Sequence, residues 1–297
     1  MIELPEFGFL LSQLRSGLTT AMIMFLIASG LSLIFGVLKI INLAHGSMYM
    51  IGAYMAWNMT LILGNSFLGF WGAVLIAALS VALLGFIVER CLLQFMYRRE
   101  ELYQLLFTYA LVLILSDGCK FIWGTEPHSV SRPELLSGYF DVMGVRMPHY
   151  DLVIVVIGVL IALGFWLLLN RTSWGRIIRA AAMDREMLGA LGTNVQRLYT
   201  SMFVLASFLA GLSGALVTPI KSVVPGMDVE IIIEAFIVVV IGGLGSLWGT
   251  LLGSLIYGLT LAFGILIFPR FSIFAAFVIM VVVLIVRPWG LLGRPVK

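Results

Sequence analysis

Between Lys39 and Glu89 the chain carries no aspartate, glutamate, lysine or arginine. A helix needs roughly 20 apolar residues to cross the hydrocarbon of a bilayer, so this stretch has room for two crossings. Gly64-Asn65-Ser66 at its midpoint reads as the turn between them. The same reasoning assigns crossings to residues 16–38, 102–123, 151–170, 198–220 and 271–286. The uncharged run 235–269 is broken at Gly242-Gly243-Leu244-Gly245-Ser246, which predicts a short segment followed by a full span. The expected fold is an all-α, polytopic membrane protein of about eight transmembrane helices plus one interrupted, re-entrant segment.

Composition agrees. The chain is 61% hydrophobic and 11% charged, whereas soluble domains are about half apolar and about a quarter charged. No polar stretch is long enough for a separate soluble domain, so residues 1–297 read as one transmembrane unit. A dispersed net charge of +3 gives no footprint for nucleic acid. Cys91 and Cys119 both sit in apolar stretches and offer no disulfide framework or metal-ligand spacing. Met1 to Arg15 carries Glu3 and Glu6 without a basic region, so the first apolar segment is expected to be retained rather than cleaved.

Short loops on the cytoplasmic side of membrane proteins are rich in Lys and Arg. With the N-terminus outside, one side collects Lys39, Arg90, Arg98, Arg99, Arg171, Arg176, Arg179, Arg185, Arg197, Arg287, Arg294 and Lys297. The other holds Arg15, Arg132, Arg146, Lys221 and Arg270. The first side is therefore expected to be cytoplasmic, with the C-terminus on it. In this arrangement the helix starting near Leu18 and the one starting near Leu198 run in opposite directions. Each opens a block of about four segments, a first half at about 16–123 and a second at about 198–287, with 151–170 as a linking span. That is the pattern of an inverted repeat.

Polar residues inside such a chain are costly unless they face protein or a water-filled path. The segment Ile41-Asn42-Leu43-Ala44-His45-Gly46-Ser47 reads either as a broken helix lining a solute path or as a tight turn with a satisfied His45. Gly242, Gly243, Gly245 and Ser246 form the second candidate break, or a packing motif continued by Gly249 and Gly253. The loop 174–192, from Trp174-Gly175-Arg176 to Leu191-Gly192, reads as a short surface helix. It rests on lipid or docks into a partner, with Arg179, Ala180, Ala181 and Asp184 among its residues. Asp117 and Lys120 stand at i, i+3 and should pair. Catalytic templates fail: no G-x-x-x-x-G-K-[ST], H-E-x-x-H or C-x-x-C occurs, and no carboxylate chain crosses the membrane to relay protons. Neither a catalytic residue nor a metal site is expected, and a stand-alone carrier or channel is the rival to a partner-driven importer.

In their order, Gly30-Leu31-Ser32-Leu33-Ile34-Phe35-Gly36-Val37, Ile41-Asn42-Leu43-Ala44-His45-Gly46, Tyr49-Met50-Ile51-Gly52-Ala53-Tyr54, Gly175-Arg176, Gly242-Gly243-Leu244-Gly245-Ser246 and Arg287-Pro288-Trp289-Gly290 resemble the branched-chain amino acid ABC transporter permease family. The resemblance covers nearly the whole chain. It implies a second, homologous permease, two cytoplasmic ATPases that bind ATP and Mg, and an extracytoplasmic solute-binding protein at a bacterial inner membrane. It also implies a coupling helix at 174–192 and a small amino acid as solute. The family includes importers of urea, short amides and aromatic or other carboxylic acids, so the fold does not fix the solute. Many relatives carry an acidic residue after His-Gly, where this chain has Ser47.

Overall fold

The computed structural model describes residues 7–97, 99–142, 145–267 and 272–293. Arg98, Arg270, Arg294, Lys297 and the N-terminal Glu3 and Glu6 lie outside them. The helices are α1 (Phe7–Leu38), α2 (Ala44–Leu63), α3 (Phe67–Cys91), α4 (Glu101–Trp123), α5 (His149–Arg171), α6 (Ser173–Met183), α7 (Arg185–Ala190), α8 (Val195–Val217), α9 (Met227–Gly242), α10 (Leu247–Ile267) and α11 (Ser272–Val286). A small antiparallel hairpin, β1 (Tyr139–Val142) and β2 (Val145–Pro148), precedes α5. The sequence pattern did not point to it.

Helix starts follow local chemistry. Ser66, Thr172, Asp184 and Asn194 each accept a hydrogen bond from a backbone N–H in the first turn of α3, α6, α7 and α8, satisfying donors that a helix leaves orphaned. Among the described residues six helices are long and apolar enough to cross a membrane: α1, α3, α4, α5, α8 and α10. The chain is a multi-pass membrane protein. An outer ring of apolar side chains on α3, α4, α5 and α11 is exposed, with Phe121 at 92%. In a helix bundle this is the surface that meets lipid.

The centre is built by α1, α2 and α8. Exchanging α1, α2, α3 and α4 for α8, α9, α10 and α11 maps most of the helix packing onto itself: α1 packs along α10 as α8 packs along α3, and α2 crosses α8 as α9 crosses α1, whereas α10 packs on α11 with no comparable α3–α4 contact. Contacts between the two leading helices show their direction. Gly30 lies against Ala206, while Ser213 Oγ donates to Ile23 O at 2.9 Å, so residue numbers rise on α1 as they fall on α8. Equivalent helices that run antiparallel make an inverted repeat. α5 links the halves and packs on α1 and α6.

The basic loops gather at one end. Lys39 lines a space with residues 181–186, Gln196 donates to Gln94, and Gly243 lies against Gly293. Arg15, Arg132, Asp151 and Lys221 meet at the other end. At the basic end Glu89 is fully buried and accepts a hydrogen bond from Tyr97 Oη at 2.7 Å. Burial, and then the neighbouring Glu89, push the Tyr97 hydroxyl above its ordinary value, so it remains a donor. Asp117 and Lys120 pair at 2.9 Å, as the spacing predicts.

Candidate translocation site

Helix α1 ends where Lys39 takes a left-handed backbone, φ 56°, the one non-glycine residue with positive φ among those described. Such a conformation is costly for a side-chain-bearing residue and persists where the surroundings fix it. The chain then doubles back through residues 40–43, and α2 begins at Ala44 beside the middle of α1. His45 Nε2 lies 3.0 Å from Ile27 O, and Ile27 is the midpoint of the uncharged run 16–38. Thus α2 starts inside the bundle and runs toward the end that carries Arg15. Its inverted counterpart is α9. Gly226, at φ 94°, turns the chain into Met227, and α9 runs toward the basic end.

The two half-helices meet head to head. A Cβ on Gly46 would overlap Asp228 O and lie 2.9 Å from Ile232 Cβ, so only glycine permits this approach. Ser47 Oγ donates to Asp228 Oδ2 at 3.0 Å. Asp228, 1% exposed, sits in the first turn of α9 and faces the start of α2. Both helix ends present partial positive charge to its side chain. Serine at position 47 donates to that carboxylate, where an acidic residue would repel it. Asp228 Oδ1, Asn42 Oδ1 and Nδ2, and His45 Nδ1 are buried without a hydrogen-bond partner among the described residues.

A cavity of about 200 Å³ opens on the Arg15 side of this centre, floored by Tyr49, Ile23 and Met24 and rimmed by Arg15, Arg132 and Lys221. Arg15 pairs with Asp151, and Arg132 Nη2 stands 3.7 Å from the same carboxylate. Removing Arg15 strips a nearly buried carboxylate of its closer partner, a loss of about 3 kcal/mol when one member of a buried pair is deleted. Arg15→Ala is accordingly expected to lower the melting temperature of the detergent-solubilised protein, and Arg15→Ala with Asp151→Asn to recover most of the loss. Equal destabilisation in the single and double variants would show that the pair contributes nothing.

At the basic end, α6 and α7 lie across the bundle. Gly175, Ile178 and Ala181 face inward, while Arg176, Arg179, Ala180 and Asp184 are exposed. A Cβ on Gly175 would overlap Leu169 O, so this glycine sets the packing of α6 on the end of α5. Asp184 kinks the segment and caps α7 through Glu186 and Met187 N–H groups. Gly192, φ 83°, closes it. A space of about 220 Å³ separates Val37 and Lys39 from Ala181, Asp184 and Glu186, joining this element to the residue that reverses the chain into α2.

The profile of the branched-chain amino acid transport system permease component matches residues 13–286. The high-affinity branched-chain amino acid transport permease BraD of Pseudomonas aeruginosa is 31% identical over 98% of both chains. LivH of Escherichia coli K12, another permease so described, is 28% identical over 98% of this chain and 97% of its own. The chain belongs to this permease family. The fructose import permease FrcC of Rhizobium meliloti is 40% identical over 35% of this chain, so related sequence accompanies a different solute. No solved structure matches.

In the permease, Asn42, His45, Gly46 and Ser47 converge at the half-helix junction. Gly242, Gly243, Gly245 and Ser246 do not join them. They form the turn from α9 into α10 at the basic end, packed on 287–293, where Leu291 N and Leu292 N donate to Ile241 O and Gly242 O at 2.9 and 3.0 Å. The partner of the first break is Gly226–Asp228, which the sequence announced only by the turn pair Pro225-Gly226. Gly249 and Gly253 pack against Gly242 O and Val238 O, as the small-residue spacing predicts. Arg15 reads in sequence as a topology charge and Asp151 as the edge of a span. Nothing local tells that they meet. Met183, Met187 and Leu191 are strongly exposed at 81%, 59% and 74%; of these, the sequence pattern singles out only Leu191.

Proposed function

We propose that this permease is one wall of an ATP-driven importer that carries a small amino acid, branched-chain or similar, across a bacterial inner membrane. A second homologous permease completes the path. Two ATP-binding subunits, holding ATP and Mg, grip α6 and α7 at the cytoplasmic face, and an extracytoplasmic binding protein delivers the solute. The C-terminus lies on the cytoplasmic side with the other basic segments.

The observation that carries this reading is the pair of half-helices joined at Gly46 and Asp228, with buried polar atoms left unpaired around them. Such atoms cost about 1–3 kcal/mol each, and a helix pair that can part gives them water or solute as partners in a second state. The space that Lys39 shares with α6 and α7, and the short connection from Lys39 to Asn42 and Ala44, couple that parting to motion at the basic end. Exposed Met183, Met187 and Leu191 supply the apolar anchors that a helix docking in a groove requires.

The test is uptake by liposomes holding the complete assembly. ATP drives accumulation of an amino acid and a non-hydrolysable analogue does not; equal uptake with both removes the reading. Met187→Glu, which places a charge in the docking face, is expected to cut ATP-driven uptake at least about tenfold, the cost of burying an unpaired charge at an interface, while leaving thermal stability unchanged. Unchanged uptake in this variant would place the ATPase contact elsewhere.

A further inference from the structure

Helix α9 carries two carboxylates that the half-helix junction does not use. In the sequence Glu230 and Glu234 precede the uncharged run 235–269, where charge exclusion would make them the edge of a span. The fold puts them inside one. Asp228 meets the start of α2 beside the middle of α1. At about 1.5 Å per residue, Glu230 and Glu234 follow roughly 3 and 9 Å further along α9, and Gly242 at the basic end lies roughly 12 Å beyond Glu234. Half the hydrocarbon is about 15 Å deep, so both carboxylates stand at its depth.

They also stand on the open side of the helix. Val229 and Ile233 are 51% and 47% exposed, Glu230 is exposed and Glu234 is half-buried, whereas Asp228 and Ile232 are buried at the junction. Neither glutamate joins an ion pair among the described residues, and Lys221 acts on Glu234 only at longer range. On the α10 side, Tyr257 is fully buried with its hydroxyl beside Glu234, yet that hydroxyl makes no close hydrogen bond. The lipid-facing surface is different: exposed positions of α5 from Val156 to Leu167 are all apolar. Hydrocarbon does not solvate a carboxylate, so charged groups at this depth face protein or water. A second copy of the same face would set carboxylate against carboxylate, which is destabilising in a dry contact.

We propose that the open face of α9 borders water within the membrane, as the wall that this chain gives to the path, and that Glu230 and Glu234 make the wall negative. The proposal rests on the transport reading and places the path on this chain. Helix α9 then has a dry side at Gly46 and Ile232 and a wet side at Glu230 and Glu234, and parting of the half-helices moves both. Water between Tyr257 Oη and Glu234 supplies the partner that the hydroxyl lacks. A negative wall concentrates cations along it and thins out anions.

The experiment uses the full permease–ATPase complex in lipid nanodiscs, with Cys91→Ser to remove the exposed thiol and Ile233→Cys, between the two glutamates, as reporter. Leu160→Cys, exposed at the middle of α5, is the lipid-facing control. Modification rates are measured with a cationic and an anionic methanethiosulfonate, each divided by its rate with a free thiol in solution. Both the nucleotide-free complex and the complex with a non-hydrolysable ATP analogue are tested. Ile233→Cys is expected to react at least about tenfold faster than Leu160→Cys and to prefer the cationic reagent about tenfold, the combined effect of two carboxylates about 6 Å away in water. Glu230→Gln with Glu234→Gln should erase the preference while the thiol stays reactive. A thiol as inert as Leu160→Cys in both states overturns the proposal and assigns the face to lipid or to a dry contact. Reactivity without charge preference, or a preference that survives the double variant, overturns the negative wall. ATP-driven uptake by the Cys91→Ser assembly in liposomes is read alongside. Uptake with an inert Ile233→Cys thiol removes the wet face and leaves the transport reading standing. A reactive, cation-preferring thiol without such uptake keeps the wet face and removes the importer reading, so the two fail separately.

Discussion

Gly46→Val is expected to cut solute uptake by more than about tenfold. A Cβ at this position overlaps the Asp228 carbonyl, and the two valine methyls add to a contact already closed by Ile232. The obstacle is backbone, so no rotamer change relieves it, and overpacking of this kind costs about 1–3 kcal/mol, occasionally more. The strain falls on the junction of the half-helices and on the Ser47–Asp228 hydrogen bond, 3.0 Å long, that holds it. Parting the helices leaves the Asp228 carboxylate without its donor and away from the start of α2. Uptake by liposomes containing the complete assembly is expected to fall more than about tenfold, the rate equivalent of about 1.4 kcal/mol. Gly46→Ala should lose a large part of this, since its Cβ already makes the clash. Wild-type uptake by Gly46→Ala would show that α2 and α9 do not meet as described.

Gly214→Val acts on folding rather than on the gate. Helices α2 and α8 cross with Gly214 against Tyr49 O and Ala53 N, and with Gly52 against Gly211. Four small residues at one crossing let two backbones touch, and in lipid this packing replaces the hydrophobic drive that water supplies elsewhere. A valine at Gly214 forces the pair apart over the whole crossing, where α2, α3 and α8 bury Tyr54, Phe70 and Phe203. The expected loss is about 3 kcal/mol or more, read as a lower melting temperature of the purified protein and a reduced yield from membranes. Gly118 on the exposed side of α4 is the control, because nothing lies within 4 Å of a Cβ added there. Equal damage from Gly118→Val and Gly214→Val would rule out the close crossing.

Much of the permease was legible in one dimension because hydrocarbon enforces a simple rule. Charges are excluded from spans, so their positions mark helix ends, and the tally of Lys and Arg marks sides. The inverted repeat followed from direction alone, and α5 appeared as the odd segment between halves. The polar segment Asn42–Ser47 stood out because amide, imidazole and hydroxyl groups are costly in an apolar run. Its partner did not stand out. Asp228 lies just after a Pro-Gly turn and before an apolar helix, which reads as an ordinary helix start, and the five-residue glycine-rich stretch at 242–246 drew attention that belonged to 226–228. Glycine reports a close approach without saying to what: at 242–246 the neighbour is the segment 287–293, whereas at Gly46 it is the opposing half-helix.

Span content, the number of halves and their opposed directions were thus set by the order of residues, since each depends on the transfer of a local segment between water and lipid. Which break meets which, that Arg15 reaches Asp151, and that Lys39 shares a space with the α6–α7 element were decided by tertiary packing. Those contacts join residues up to 181 positions apart, as Ser47 and Asp228 are, and their energies depend on distance in space. No property of either residue's neighbours along the chain carries that distance.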